Sequence, residues 1–308
     1  MKISDLLRSG TRPFPSLEIV PPLTGISQDE LFQSIDPLME YGPKYINVTT
    51  HRDEFRFIPQ PDGSFRRTVV RSRVSAVAVS ASIRARYSIE VVPHLICGGT
   101  PAHETEALLQ DFRFLGIENV MALRGDSLLG EKRFTPTPDG YAHADQLVGA
   151  VRTFEKDNGC SFCIGVGGYP EKHFEAANLE TDLHYLKQKV EAGADYIITQ
   201  MFFDNAVYYR FVDRCRATGI DVPVIPALKP LSTARQVALL PESFSIDIPV
   251  ALTDAVRAAG PDAGAVYHIG TDWCIAQCRD LLAHGVPAVH FYTMGKPRNV
   301  AEVLRTCF

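Results

Sequence analysis

Eight short apolar runs in this 308-residue chain each carry, at or near their ends, a residue able to bind a ligand or move a proton. Glu18 lies within "SLEIVPP", Thr49 and Thr50 close "YINVTT" with His51 next, and His94 sits in "EVVPHLIC". Arg124, Gly125 and Asp126 follow "NVMAL", Tyr169, Glu171 and His173 lie at or just beyond "CIGVGGYP", and Gln200 lies in "YIITQMFF". Lys229 stands in "VPVIPALKP", and His290 and Tyr292 in "AVHFYTMG". Taken singly, these have ordinary explanations: a histidine in an apolar run is commonly a satisfied core residue, and Lys229 could pair with a carboxylate. Glu18 resists such an explanation, because a carboxylate inside an apolar strand is costly unless paired or protonated. So many strand ends of this kind are not what packing alone produces. Together they suit a large, heteroatom-rich ligand such as a flavin or a pterin. A metal centre is disfavoured, because the first run lacks His-x-His. A Schiff-base role for Lys229 is a minor reading beside Pro230.

The elements that must position these residues follow from the pattern between them. The runs are nearly continuous in apolar residues, as strands covered on both faces are. Amphipathic segments intervene. Ser27 and Glu30 form a capping box, with Pro37 expected to kink the helix that follows. Thr100 and Pro101 suit a cap and a first helical position, with Leu108, Phe112 and Leu115 along one face and Gly116 at the end. Leu179, Leu183, Leu186 and Val190 make a second such stripe. The stretch 51–66 reads as a loop, and 241–265 as holding an extra helix. Eight strands alternating with eight helices describe a single α/β domain over 1–308, a (β/α)8 TIM barrel with an additional helix. A doubly wound sheet is the alternative, but "EIVPPLTG" lacks its glycine fingerprint and "GVGGYP" matches no phosphate loop.

Composition narrows the class. With 45% hydrophobic and 22% charged residues the chain has ample material for a large core. A net charge of −5 and a pI near 6.0 argue against a nucleic-acid partner. Arg66, Arg67, Arg71, Arg73, Arg84 and Arg86 read as the solvated face in or beside one helix. No apolar stretch reaches the ~20 residues of a membrane span, and "MKISDLLRSGTRPF" is not a signal peptide. Seven cysteines, an odd number, suit a reducing compartment and a cytoplasmic protein. Cys160 and Cys163 form an isolated CxxC, with Cys163 read as packing, and Cys274 and Cys278 read as structural. Read alone, Arg124-Gly125-Asp126 is the cell-adhesion tripeptide, but adhesion needs secretion and an exposed loop, and the chain offers neither.

The runs "SLEIVPP", "INVTTHRDE", "PHLICGG", "ALRGD", "GGYPEKH", "DYIITQMFFD", "VIPALKPLS" and "HFYTM", in this order from about Ser16 to Lys296, closely resemble the methylenetetrahydrofolate reductases. The resemblance implies a barrel that binds FAD without a covalent link. It further implies reduction of 5,10-methylenetetrahydrofolate to 5-methyltetrahydrofolate with NADH or NADPH, by ping-pong use of one flavin face. Carried over by position, Glu18 matches the general acid, a role that needs a carboxyl protonated near neutral pH, and Asp126 the aspartate near flavin and pterin. Thr49, His94, Leu123, Arg124, Gly125, Asp126, His143, Ala144, Tyr169, His173, Ala176, Asp182 and Lys189 match flavin contacts. Glu18, Asp126, Gln200, Gln236 and Lys296 match substrate contacts. The family also implies a homo-oligomer. With the chain ending about a helix after the eighth strand, no regulatory domain is expected.

Several positions depart from the better-known bacterial pattern: His143 stands where many relatives have tyrosine, Thr50 and Leu240 where aromatics stand, and Lys296 where arginine stands. The choice of nucleotide stays open here. So do two alternatives, another flavin barrel of the proline-dehydrogenase kind and a methylenetetrahydrofolate reductase fed by a partner protein.

Overall fold

The computed structural model describes residues 1–10, 12–127 and 134–308. Helix α1 (Ile3–Arg8) precedes strand β1 (Phe14–Ile19), followed by α2 (Gln28–Met39), β2 (Tyr45–Val48) and a hairpin of β3 (Glu54–Pro59) and β4 (Phe65–Val70). Then come α3 (Ala76–Tyr87), β5 (Glu90–Ile96), α4 (Ala102–Phe114), β6 (Asn119–Leu123), α5 (Ala144–Asn158), β7 (Cys163–Gly168) and α6 (Leu179–Glu191). The chain continues with β8 (Tyr196–Met201), α7 (Asn205–Ala217), β9 (Val224–Leu228), α8 (Gln236–Phe244), α9 (Val250–Ala259), α10 (Ala263–Ala283), β10 (Ala288–Tyr292) and α11 (Pro297–Cys307). Strands β1, β2, β5, β6, β7, β8, β9 and β10 close a barrel in that order, each pair parallel. The expected (β/α)8 barrel is therefore present, and α9 is the expected extra helix in 241–265.

Alternation along the strands divides the core into two layers. Leu17, Ile19, Ile46, Val48, Val91 and Leu95 face outward, where α2, α3, α4, α5 and the later helices cover them. Phe14, Tyr45, Val92, Met121, Cys163, Tyr196, Ile198, Ile225, Ala227 and Ala288 fill the barrel interior. Helix α1, not anticipated from sequence, inserts Ile3 and Leu7 into that inner cluster and plugs the floor. It is held there by hydrogen bonds from Ile3 N to Asn119 Oδ1 (2.9 Å) and from Ser4 N to Cys163 Sγ (3.3 Å). Cys163 is thus a buried packing residue, and burial pushes its thiol up to about 11. Cys274 and Cys278 are buried as well, and all seven cysteines are free.

Three local expectations need correction. The stretch 51–66 is no loop: Phe55, Phe57 and Pro59 pair with Val69, Arg67 and Phe65 across a hairpin. Its turn uses Asp62 Oδ1 accepting from Ser64 N and Gly63 at φ +82, so the "PDG" was a hairpin signal between two alternating runs. Arg66 and Arg67 therefore sit on a strand, while Arg84 and Arg86 alone lie in α3. Helix α2 starts on the predicted capping box and holds Pro37 in its last turn before ending at Met39. Helix α4 is capped by Pro101 without a side-chain bond, one residue later than the Thr100 reading.

Candidate active site

Glu18 is the fifth residue of β1, on the inner face at the carboxyl end, level with Tyr292 of β10 and Asn47 of β2. Its Oε2 lies 3.7 Å from His94 Nε2 and 3.9 Å from His290 Nε2, close enough for electrostatic coupling and too far for hydrogen bonds. Each imidazole is held by its other contacts. Ser16 Oγ is 2.9 Å from His290 Nδ1, and Asn47 Nδ2 is 3.2 Å from His94 Nε2. His290 Nε2 and Asn47 Oδ1 are sealed from solvent without any hydrogen-bond partner. Orphaned buried polar atoms are uncommon, and two of them beside one carboxyl mark this cluster as more than packing. Burial lowers His94 to about 4, against an opposing pull from Glu18, so its ring is neutral at neutral pH.

The rim continues from this centre. Thr49 Oγ1 is 3.0 Å from His51 Nε2, and Thr50 Oγ1 donates to the His94 carbonyl (2.6 Å). Burial lowers the His51 pKa, with Arg73 acting the same way, while Asp126 and Glu18 oppose it, so His51 feels both carboxylates. Asp126 is exposed, and its carbonyl accepts from Arg52 Nη1 (3.4 Å).

A second group gathers where β6 and β7 end. Leu123 closes β6, and Gly125 follows at φ +84, where a Cβ would also meet Ile96 Cβ at 3.3 Å. Only glycine fits that turn without strain. Arg124 forms an ion pair with Glu175 and stacks over Phe134, 4.8 Å from its centroid. Tyr169 meets His173 edge-on at 4.7 Å, and burial lowers His173 to about 4. Asp182 Oδ2 accepts from His173 N (3.0 Å), and burial raises the Asp182 pKa. Lys189 Nζ donates to the Gly167 carbonyl (2.6 Å) under the Tyr169 ring, and burial lowers it to about 8. Asp145, in the first turn of α5, also acts on Lys189; His143 is the N-cap of that helix and Ala144 its first residue. Ala176 is buried, its carbonyl accepting from Lys172 Nζ. Pairwise contacts thus link backbone, aromatic, cationic and acidic groups from the end of β6 to α6.

The remaining predicted residues are less united. Gln200 Oε1 accepts from Met201 N (2.9 Å), and Gln236 Oε1 accepts from Ser232 N (2.7 Å) and Thr233 N (3.2 Å). In both, the carbonyl oxygen serves the local backbone, and among the described residues the amide NH2 makes no hydrogen bond. Lys296 is exposed at the N-cap of α11. Leu240 packs beside Met201, Phe203, Leu231, Ile246 and Leu252, so it takes up the space of core and not of a stacking platform. Sequence reasoning missed Ser16, Asn47, Phe134 and Glu175. Ser16 and Asn47 share the inward alternation of Glu18, a signal that was available. Phe134 and Glu175 lie outside strands and gave none.

Comparison with known proteins settles the family. A family model described as methylenetetrahydrofolate reductase matches residues 2–307. The chain belongs to the methylenetetrahydrofolate reductase family. The 5,10-methylenetetrahydrofolate reductase of Salmonella typhimurium is 34% identical over 281 residues, covering 91% of this chain and 86% of that protein. Methylenetetrahydrofolate reductase (NADH) 1 of Arabidopsis thaliana is 32% identical over 98% of this chain. The chain spans about half the length, 49%, of that plant protein. Among solved structures, a Clostridium thermocellum protein that binds two copies of 5-methyl-5,6,7,8-tetrahydrofolic acid superposes with a TM-score of 0.59 at 12% identity, covering 99% of this chain and 97% of that one. At that identity it supports the fold alone. Among the described residues no group of three or more His, Cys, Asp or Glu could hold a metal, and no helix is long and apolar enough to cross a membrane.

Proposed function

We propose that this member of the methylenetetrahydrofolate reductase family reduces 5,10-methylenetetrahydrofolate to 5-methyltetrahydrofolate, using FAD and a reduced nicotinamide. The observation that carries the reading is Glu18, a carboxyl at the barrel mouth faced by two imidazole nitrogens and flanked by two orphaned polar atoms. An acid needs its proton placed toward the substrate, and Glu18 Oε2 stands at the carboxyl end of β1 beside both imidazoles. Glu18 would donate that proton to the folate nitrogen, opening the five-membered ring to a reducible iminium. Asp126 would hold the pterin from the exposed rim, and Gln200 and Gln236 would offer their amide NH2 groups to it.

The group from Leu123 to Lys189 suits a flavin: Gly125 leaves open the space a Cβ would fill against Ile96, and Arg124, Tyr169, His173, Ala176, Asp182 and Lys189 would hold the cofactor. His143 and Ala144 would meet it from the start of α5, and Thr49 and His94 from the side of Glu18. Bound there, FAD supplies a ring that takes and gives hydride. A single face serving both substrates in turn gives ping-pong kinetics. The chain would act as a homo-oligomeric cytoplasmic enzyme of one-carbon metabolism and methionine biosynthesis, the barrel alone forming the catalytic domain.

One second reading has an observation behind it. Leu240 is core, and Thr50 is tied to the His94 carbonyl, so neither offers a stacking surface to a nucleotide. Electrons could then come from a partner protein. An anaerobic visible spectrum separates the two. Bleaching of a flavin by NADH or NADPH, followed by recovery with methylenetetrahydrofolate, is the expected result. Recovery with folate only after chemical reduction would move the electron source to a partner. A protein that takes up no flavin on reconstitution would overturn the flavin reading.

A further inference from the structure

Arg52 lies between β2 and the hairpin, and the barrel mouth holds its side chain in one place. The stem lies over Gly98 and Gly99, just beyond β5. A Cβ on Gly98 would stand 3.1 Å from Arg52 Cδ, and one on Gly99 would stand 3.3 Å from Arg52 Nε. Gly99 is also at φ +80, so this floor disfavours a side chain on two grounds. The floor is in turn tied to the end of β6, where Gly98 N donates to the Arg124 carbonyl (3.0 Å). At the tip, Arg52 Nη1 donates to the Asp126 carbonyl (3.4 Å), and the guanidinium stands 6.0 Å from the Phe134 centroid. Arg52 thus reaches from β2, past β5, to the residues that follow β6.

Its charge is left over. Arg124 meets the same Phe134 ring and is paired with Glu175, whereas among the described residues Arg52 has no carboxylate partner. Arg52 lines a cavity of about 440 Å³ together with Thr49, His94 and Ile96. Two further arginines on its wall are committed elsewhere: Arg71 lies 3.7 Å from Asp53, and Arg73 donates to the Pro21 carbonyl (2.8 Å). Ile96 is the side chain that a Cβ on Gly125 would meet. The cavity therefore joins Thr49 and His94 to the turn at Gly125, with Arg52 along one side.

We propose that Arg52 is a further residue of the cofactor site, whose uncompensated cation stabilises the reduced flavin over the oxidised flavin. The inference rests on the proposed function for the flavin and for the nicotinamide that feeds it. Hydride carries two electrons and one proton, so a flavin that takes it from the nicotinamide gains one unit of negative charge. A preplaced cation lowers the energy of that form more than of the neutral ring. Half-buried, the guanidinium is screened less than a charge in open solvent, and it stays protonated at any working pH.

Midpoint potentials of the FAD-reconstituted full chain, measured at fixed pH by anaerobic equilibration with a reference dye, test this. Arg52→Met keeps a stem on the glycine floor and removes the charge. It should lower the equilibrium constant for flavin reduction about tenfold or more, a fall of about 30 mV for a two-electron couple. Arg52→Lys should stay within about threefold of the parent. Affinity for oxidised FAD, followed by quenching of its fluorescence, and the urea midpoint of the flavin-free chain should change little in either variant. An unchanged potential in Arg52→Met, or an equal fall in Arg52→Lys, would overturn the assignment. So would loss of FAD uptake in both variants with a lowered urea midpoint, which would make Arg52 a structural residue. A parent that takes up no FAD would overturn the flavin reading and this one together, whereas the other failures leave the flavin reading standing.

Discussion

Glu18 concentrates the argument at the residue scale. Its neighbours Ser16, His290, His94 and Asn47 form a short polar array across β1, β10, β5 and β2, inside a layer otherwise filled by Phe14, Tyr45 and Val92. Such an array is costly in a core, and local rules are broken in this way chiefly at functional sites. Replacing Glu18 with Gln keeps shape and burial and removes the transferable proton. Glu18→Gln should slow reoxidation of the reduced flavin by methylenetetrahydrofolate by about 10²–10⁴-fold. Reduction of the flavin by nicotinamide should stay within a few-fold of the parent. Stopped-flow measurement of the two half-reactions checks this, and equal loss in both would mean that Glu18 serves binding or folding instead of proton transfer. Glu18 was legible because a carboxylate in an apolar run needs a reason. Glu175 was not, because its pairing with Arg124 crosses from the loop after β7 to the end of β6, a juxtaposition only the closed barrel creates.

Elements that interrupt or precede the βα repeat were harder to read than the repeat itself. Continuous apolar runs identify buried parallel strands well, since each is covered on both faces. Helix α1 escaped notice because it is six residues long and its apolar face is three residues, Ile3, Leu6 and Leu7. Its importance comes from where it docks. Ile3 is fully buried on the barrel floor among Tyr45, Met121 and Tyr196. Ile3→Ala should therefore cost about 2–5 kcal/mol, like other large-to-small core changes and unlike substitutions in a peripheral helix. Equilibrium urea unfolding would show it, and a change below about 0.5 kcal/mol would mean that α1 is not a structural plug. The hairpin of β3 and β4 was missed for the opposite reason. Its turn chemistry was visible in the sequence, but its strands are exposed and projected no burial pattern.

Across the whole molecule, the site imposes a pH dependence on stability. His94 is fully buried with its pKa lowered to about 4, and His173, partly buried, is lowered similarly. In the unfolded chain both return to the ordinary value near 6.5. Between these limits the unfolded state binds protons that the native state does not, so stability must rise with pH through the window and fall as acid drives it toward 4. For His94 the full effect is about 3 kcal/mol. Glu171 has the opposite sign: burial raises it to about 7, so its native form holds a proton between roughly 4.5 and 7 and its contribution declines as pH rises. Glu171 is only partly buried, and screening leaves it too weak to reverse the trend that His94 and His173 set together. Urea midpoints measured at pH 4.5, 5.5 and 6.5, at fixed cofactor concentration, should therefore climb steadily. His94→Gln should flatten the climb while leaving the acid-side value nearly unchanged, because the parent imidazole is costliest there. A flat or falling profile in the parent would show that the imidazole beside Glu18 stays accessible to protons in the folded chain, and a His94 ring neutral by burial would have to be abandoned.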